Sequence, residues 1–384
     1  MKRRDFIAGG CACCAALFAA SVKAQQEWHA PGRFVRPEIT SDEGGLWAIM
    51  DRAETRLRRS PFVIRDRALH GYVQDIACRL GAAHCPDIRV YLLRTPLFNA
   101  SMAPNGMMQV WTGLMLRMEN EAQLAAVLGH EIGHYLERHT LARLRDVKSA
   151  SAFGQFIGLF GVVGAVGQLA VLASMFSFSR EQERDADRIG ITLMRDAGYD
   201  PREASKVWGN LLAEIKARPG YDSESSIPMF ATHPDVEERR EMLAALAAEA
   251  PDGVTNGEIW QEKIKPFRRD WLIQEIKRGQ HEESIAMLTR MIEGRSADPE
   301  LLAARGEVFR LRANDGDFDQ AISDFRAATA LGGEPPETHR GLAMIHRKRN
   351  EPELARMSFE RYLEMVPDAP DAPMIRRYVE ELGR

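Results

Sequence analysis

The chain has 384 residues, 45% of them apolar and 28% charged, with a formal net charge of −4. That length exceeds one ordinary domain, and the apolar fraction suffices for folded cores, which excludes a disordered or fibrous chain. The near-balanced charge, with no long basic run interleaved with aromatics, argues against nucleic acid as a partner.

Residues 1–24 run from basic MKRRDF through apolar, small-residue IAGGCACCAALFAAS to VKA, the order of a cleaved export signal. Arg3-Arg4-Asp5-Phe6-Ile7 resembles a twin-arginine leader, which predicts a periplasmic protein exported already folded. A short buried helix and a lipoprotein signal at Cys11 are the competing readings. Cleavage would leave Cys78 and Cys85 as the remaining thiols. Their spacing in CRLGAAHC fits one disulfide stapling a helix-to-strand turn, with two inert buried thiols as the alternative.

Residues 44–82 place apolar side chains at helical spacing, with a break at Ser60-Pro61. IRVYLLR, 88–94, reads as a strand. Pro104-Asn105-Gly106 is a turn signal, and MMQVWTGLM after it reads as a second strand, so 97–112 is expected to be a hairpin. Asn120 followed by Gln123 predicts a helix N-terminus.

That helix contains GHEIGHYLERHT, 129–140. Leu124, Val127, Leu128, Ile132 and Leu136 give it a buried face. His130 and His134 lie about 40° apart around the axis at ~100° per residue, so both imidazoles reach one point. Zinc takes neutral imidazole nitrogens, and this spacing supplies two without bending the backbone. Glu131 is offset from that point and suited to take a proton from the attacking water. His139, about 140° around from His134 on a continuing helix, is expected to face away from the metal as a surface or packing histidine.

A third ligand is sought downstream. In SFSREQERDADRIGITLMRDAGYDP, 177–201, Glu183 and Asp187 sit four apart, so one carboxylate can bind metal while the other accepts an N–H from a ligating histidine. A solvated charged face is the plainer alternative, but the helix returns to core at Ile189, Ile191, Leu193 and Met194.

HEIGH at 130–134, EQERDAD, AGYDP, WTGLM with NEAQLAAVLGHE, and THPDVEERR at 232–240 together resemble the zinc metallopeptidase family of HtpX, BepA, mitochondrial Oma and the CAAX prenyl proteases. The likeness spans roughly residues 45–245, with the motifs in the family's order. It implies His130, His134 and Glu183 as ligands of one zinc ion, Glu131 as general base and Asp187 as partner of a histidine. It further implies that His233 either stabilises the transition state or occupies the open position on zinc at rest, and that Arg239 has a supporting role.

Residues 153–178 carry no charge and are long enough to span a bilayer. One straight helix would be about 39 Å long at 1.5 Å per residue and would separate Glu183 from His134. A lid over the site or a membrane-touching hairpin, bent at its glycines, is therefore expected.

After the loop-like 250–258, Ala321, Phe325 and Ala328 recur as Ala355, Phe359 and Tyr362 at tetratricopeptide (TPR) spacing, with Pro367 closing the copy. Gly279, Ser284, Leu288 and Met291 form a weaker earlier copy, and a plain helical bundle is the alternative. The expectation is a mainly α chain with a small β-hairpin or sheet. A zincin-like (gluzincin) metallopeptidase domain over 25–255 precedes an α-helical TPR-like solenoid over 265–384, the layout of BepA-like periplasmic proteases. The resemblance implies an envelope endopeptidase acting on unfolded or misassembled proteins, with the repeats binding a protein partner such as outer-membrane assembly machinery. The rival is a chaperone or scaffold whose zinc is plugged by His233. A prenyl-protein protease fits poorly because the chain lacks multiple spans.

Overall fold

A computed structural model of the chain describes residues 28–146, 178–220, 233, 236–248, 250–294 and 298–383. The expected signal, 1–24, and the apolar segment 153–178 except Phe178 lie outside the described residues. Among those described, no helix is long and apolar enough to cross a membrane.

Helix α1 (Asp42–Arg59) starts where the Ser41 hydroxyl accepts the Gly44 N–H, and buries Leu46, Met50, Ala53 and Leu57 along one stripe. It stops at Ser60, where the sequence places the break. Helix α2 (Arg67–Gly81) is capped by Asp66 and buries Leu69, Val73, Ile76 and Leu80. A 3₁₀ turn, Ala82–Asp87, follows, and Cys78 is disulfide-bonded to Cys85 across it.

Three strands, β1 (Arg89–Leu93), β2 (Ala100–Met102) and β3 (Met107–Trp111), form a sheet of order β1-β3-β2. β1 runs parallel to β3 with Arg89 opposite Met107, and β2 runs antiparallel with Ala100 opposite Val110. Gly106 makes the hairpin turn at φ 87°, where a Cβ would lie 2.0 Å from the Asp87 carbonyl oxygen, so only glycine serves. Glu54 of α1 ties the sheet down by accepting hydrogen bonds from Arg58, Arg89 and Tyr91.

The hairpin forms as expected, but its second strand ends at Trp111 and TGLM belongs to helix α3 (Thr112–Arg117). The Thr112 hydroxyl donates to the Thr95 carbonyl and accepts from the Thr95 N–H, and the Gly113 N–H also bonds the Thr95 carbonyl. These bonds turn the chain out of the ladder. Every residue of α3 is buried, and an apolar run buried all round has no period to separate strand from helix.

Helix α4 (Glu121–Leu136) is buried along its whole length and is capped by Asn120, which accepts the Gln123 N–H. Then come α5 (His139–Asp146), α6 (Arg180–Asp196), α7 (Arg202–Lys216), α8 (Val236–Ala247) and α9 (Gly257–Lys277). Among the described residues six further helices follow: α10 (His281–Glu293), α11 (Pro299–Arg312), α12 (Asp317–Leu331), α13 (Glu337–Lys348), α14 (Pro352–Met365) and α15 (Ala372–Leu382).

α9 is anchored in the N-terminal half. Trp260 is fully buried and its indole N–H donates to the Met118 carbonyl at 2.8 Å. Arg117, 4% exposed, meets Glu214 of α7 at 2.7 Å and Glu275 of α9 at 2.9 Å. In the last helices, Ala321, Phe325, Ala328, Ala355, Phe359 and Tyr362 are all buried. The Phe325 ring occupies the space left by Gly306 and Gly341, where a Cβ would come within 2.9 and 2.5 Å of it.

Candidate metal centre

α4 and α6 meet backbone to backbone. A Cβ at Gly133 would lie 3.0 Å from the Ala186 carbonyl oxygen, and one at Gly190 would lie 3.1 Å from the His130 nitrogen. Small residues four apart on both helices permit this approach. It lets Glu183, in the first turn of α6, reach the histidines of α4.

His130, His134, Glu183 and His233 converge, each offering one ligand atom within 4.8 Å of every other. The His130 and His134 Nε2 atoms are 3.1 Å apart, and Glu183 Oε1 is 3.3 Å from His134 Nε2 and 2.8 Å from His233 Nδ1. Four nitrogens and oxygens about 2.0–2.1 Å from a tetrahedral zinc would sit about 3.3 Å from one another. The donor set fits zinc in kind and size. Glu131 Oε1 is buried beside them without a hydrogen-bond partner, free to take one from a bound group.

The electrostatics agree. Burial holds both His130 and His134 below the ordinary histidine value, so each keeps a lone pair to offer. Burial alone would raise Glu183, but the charges of His233 and Arg239 and hydrogen bonds from His134 and His233 hold it well below the carboxylate range. Burial, reinforced by Glu183, pushes Glu131 up to about 7. Its backbone partner is Met102, in strand β2.

His130 Nδ1 is 2.8 Å from Asp187 Oδ1. Arg239 donates to Asp187 at 2.6 and 2.8 Å, its Nη1 lies 3.0 Å from Glu183 Oε2, and its guanidinium lies 4.1 Å from the centre of the Trp208 ring. One buried cation thus serves two buried carboxylates. His233 Nε2 is 3.6 Å from Glu131 Oε1. All seven residues singled out from the sequence, His130, Glu131, His134, Glu183, Asp187, His233 and Arg239, are buried in this cluster.

Three further side chains border the cluster, of which Phe178 ends the apolar segment expected to cover the site. Trp208 lies under Arg239, and Phe178 stacks on His134 with ring centres 3.9 Å apart. His139 does not face away, because its Nδ1 is 2.9 Å from His134 Nδ1. The 140° rotation presumes a continuous helix, whereas α4 ends at Leu136 and Arg138 takes φ 57° before α5 begins. Gly129 and Gly133, four apart in the motif, and Ala186 and Gly190, four apart downstream, were a legible sign of the close helix pair.

Residues 64–247 match the model of peptidase family M48. The chain carries a peptidase family M48 domain. The chain is similar to the mitochondrial metalloendopeptidase OMA1 of Arabidopsis thaliana, 32% identical over 44% of this chain and 34% of that protein. It is also similar to the beta-barrel assembly-enhancing protease of Escherichia coli (strain K12), 29% identical over 48% of this chain and 40% of that one. OMA1 of Saccharomyces cerevisiae is 30% identical over 38% and 42%. The chain spans well under half the length of these relatives.

Proposed function

We propose that the chain is a zinc-dependent endopeptidase of the cell envelope that hydrolyses peptide bonds in unfolded or misassembled proteins. The convergence of two imidazoles and a carboxylate beside a buried glutamate with an unpartnered oxygen carries this reading. The relatives named as a metalloendopeptidase and as a beta-barrel assembly-enhancing protease support it.

His130, His134 and Glu183 would hold the zinc, which when bound acts as a Lewis acid on water and on the scissile carbonyl. Glu131 Oε1 takes the proton of the attacking water and passes it to the leaving amine nitrogen. Asp187 accepts from His130 Nδ1 and so leaves Nε2 as the ligating atom, while Arg239 holds Asp187 in place. β2, an edge strand next to Glu131, would pair with an extended substrate backbone, favouring unfolded segments over a particular sequence. The C-terminal helices, read as TPR repeats, would bind a protein partner, with outer-membrane assembly machinery as the class.

His233 favours a second reading. With it, four donors surround one point, the closed set typical of structural zinc, whereas catalytic zinc keeps a position open. A chaperone or scaffold with a plugged site would look the same. Cleavage of a reduced, unfolded protein by the zinc-loaded native chain, Glu131→Gln and His233→Ala separates the two. Native cleavage lowered about 10²–10⁴-fold in Glu131→Gln is the expected result. Cleavage by His233→Ala alone makes His233 a plug, and no cleavage by any of the three, each holding zinc, refutes the peptidase.

A further inference from the structure

His130 has a visible partner for its non-ligating nitrogen in Asp187. For His134 the corresponding nitrogen, Nδ1, meets His139 Nδ1 at 2.9 Å. Both rings are buried, 1% and 7% exposed. Phe178 stacks on one face of His134 and lies 6.3 Å from His139 by ring centres, closing the pair from solvent.

Proton accounting then fixes the tautomers. A neutral imidazole that gives its Nε2 lone pair to a metal keeps its one proton on Nδ1. That proton points at His139 Nδ1, which must therefore be bare, so the His139 proton sits on Nε2. We propose that His139 is a positioning residue for His134, an acceptor imidazole that selects the tautomer and ring orientation through which His134 ligates the metal. This rests on the zinc reading above.

The choice of an imidazole has a reason in the charge already present. Glu131, Glu183 and Asp187 place three carboxyl groups in the pocket with Arg239 as the buried guanidinium among them. A fourth carboxylate would burden a dry site with charge that a neutral acceptor avoids. Arg138 makes the arrangement local. By breaking the helix at φ 57° it turns the chain so that a residue five positions on meets the ligand's far nitrogen.

The test uses the full chain with zinc. His139→Asn retains an acceptor oxygen near the place of Nδ1, and His139→Phe retains a buried ring without one. Competition against a chromophoric chelator should show zinc affinity 10–100-fold weaker in His139→Phe and within about threefold of native in His139→Asn. Native affinity in His139→Phe, or equal losses in both variants, overturns the inference. Independently of any variant, ¹H–¹⁵N spectra of the zinc-loaded native protein should find His134 protonated at Nδ1 and His139 at Nε2. A His139 protonated at Nδ1 overturns it as well. A native chain that binds no zinc is a different failure, because it removes the metal reading itself.

Discussion

The contact between α4 and α6 can be tested with one methyl group. Alanine in place of glycine inside a helix ordinarily stabilises by about 1 kcal/mol, because glycine loses more backbone freedom on folding. At Gly190 the new Cβ would lie 3.1 Å from the His130 nitrogen, 3.3 Å from the Gly129 carbonyl carbon and 3.4 Å from the His130 Cα. All three are backbone atoms of a buried helix and have no rotamer to escape into. Ordinary contact begins near ~3.5 Å, so the helices must part by a few tenths of an ångström, and overpacking of that kind costs about 1–3 kcal/mol. Gly190→Ala should lose roughly 1 kcal/mol net in urea unfolding of the metal-free protein. Since the group pushed is the backbone of His130, zinc affinity should fall about tenfold with it. Gly71, within α2 and with nothing inside 4 Å of its would-be Cβ, is the internal control. Gly71→Ala should gain up to ~1 kcal/mol and leave zinc binding unchanged. Parallel gains in both variants would refute the close-approach argument.

Arg117→Met should destabilise by about 3–5 kcal/mol in denaturant titrations, since Glu214 and Glu275 lose the guanidinium between them; a loss below ~1 kcal/mol would mean that their other partners suffice. Acid acts through Glu54. Burial alone would raise its carboxyl, but hydrogen bonds from Arg89, Tyr91 and Arg58 lower it from 4.5 to about 2. A depressed folded value means the stabilisation is complete above about pH 4.5 and is lost as pH falls toward 2, about 3 kcal/mol in all, with roughly 2 kcal/mol gone by about pH 3. Unfolding midpoints for Glu54→Gln should depend on pH less steeply over that window, and an unchanged slope would refute the assignment.

The parts of the molecule read most directly from sequence are those whose periodicity has a single meaning. The stripes of α1 and α2, the Asn120 cap and the Gly106 turn each follow from one local rule. The histidine pair is legible because helical spacing alone brings two imidazoles together. Glu183 and Asp187 are half legible, since the spacing marks the pair and the fold decides which oxygen faces which histidine. Trp208 carries no signal, because its role arises between elements distant in the chain. His139 was misplaced for one reason, the φ of Arg138, and nothing about an arginine announces a left-handed backbone. The short helix after Trp111 was missed because complete burial erases the period that would distinguish it.

The position of Arg117 bears on how fragments of this protein behave. A chain ended near residue 255 would keep Glu214 but not Glu275, and would open the face that Trp260 covers beside Met118. The sequence invites such a cut, since APDGVTNGE looks like a linker between separable parts. The cut would pass through a shared foundation, so an inert or aggregating fragment would report a missing buttress and say nothing about whether the residues around His130 can hydrolyse a peptide.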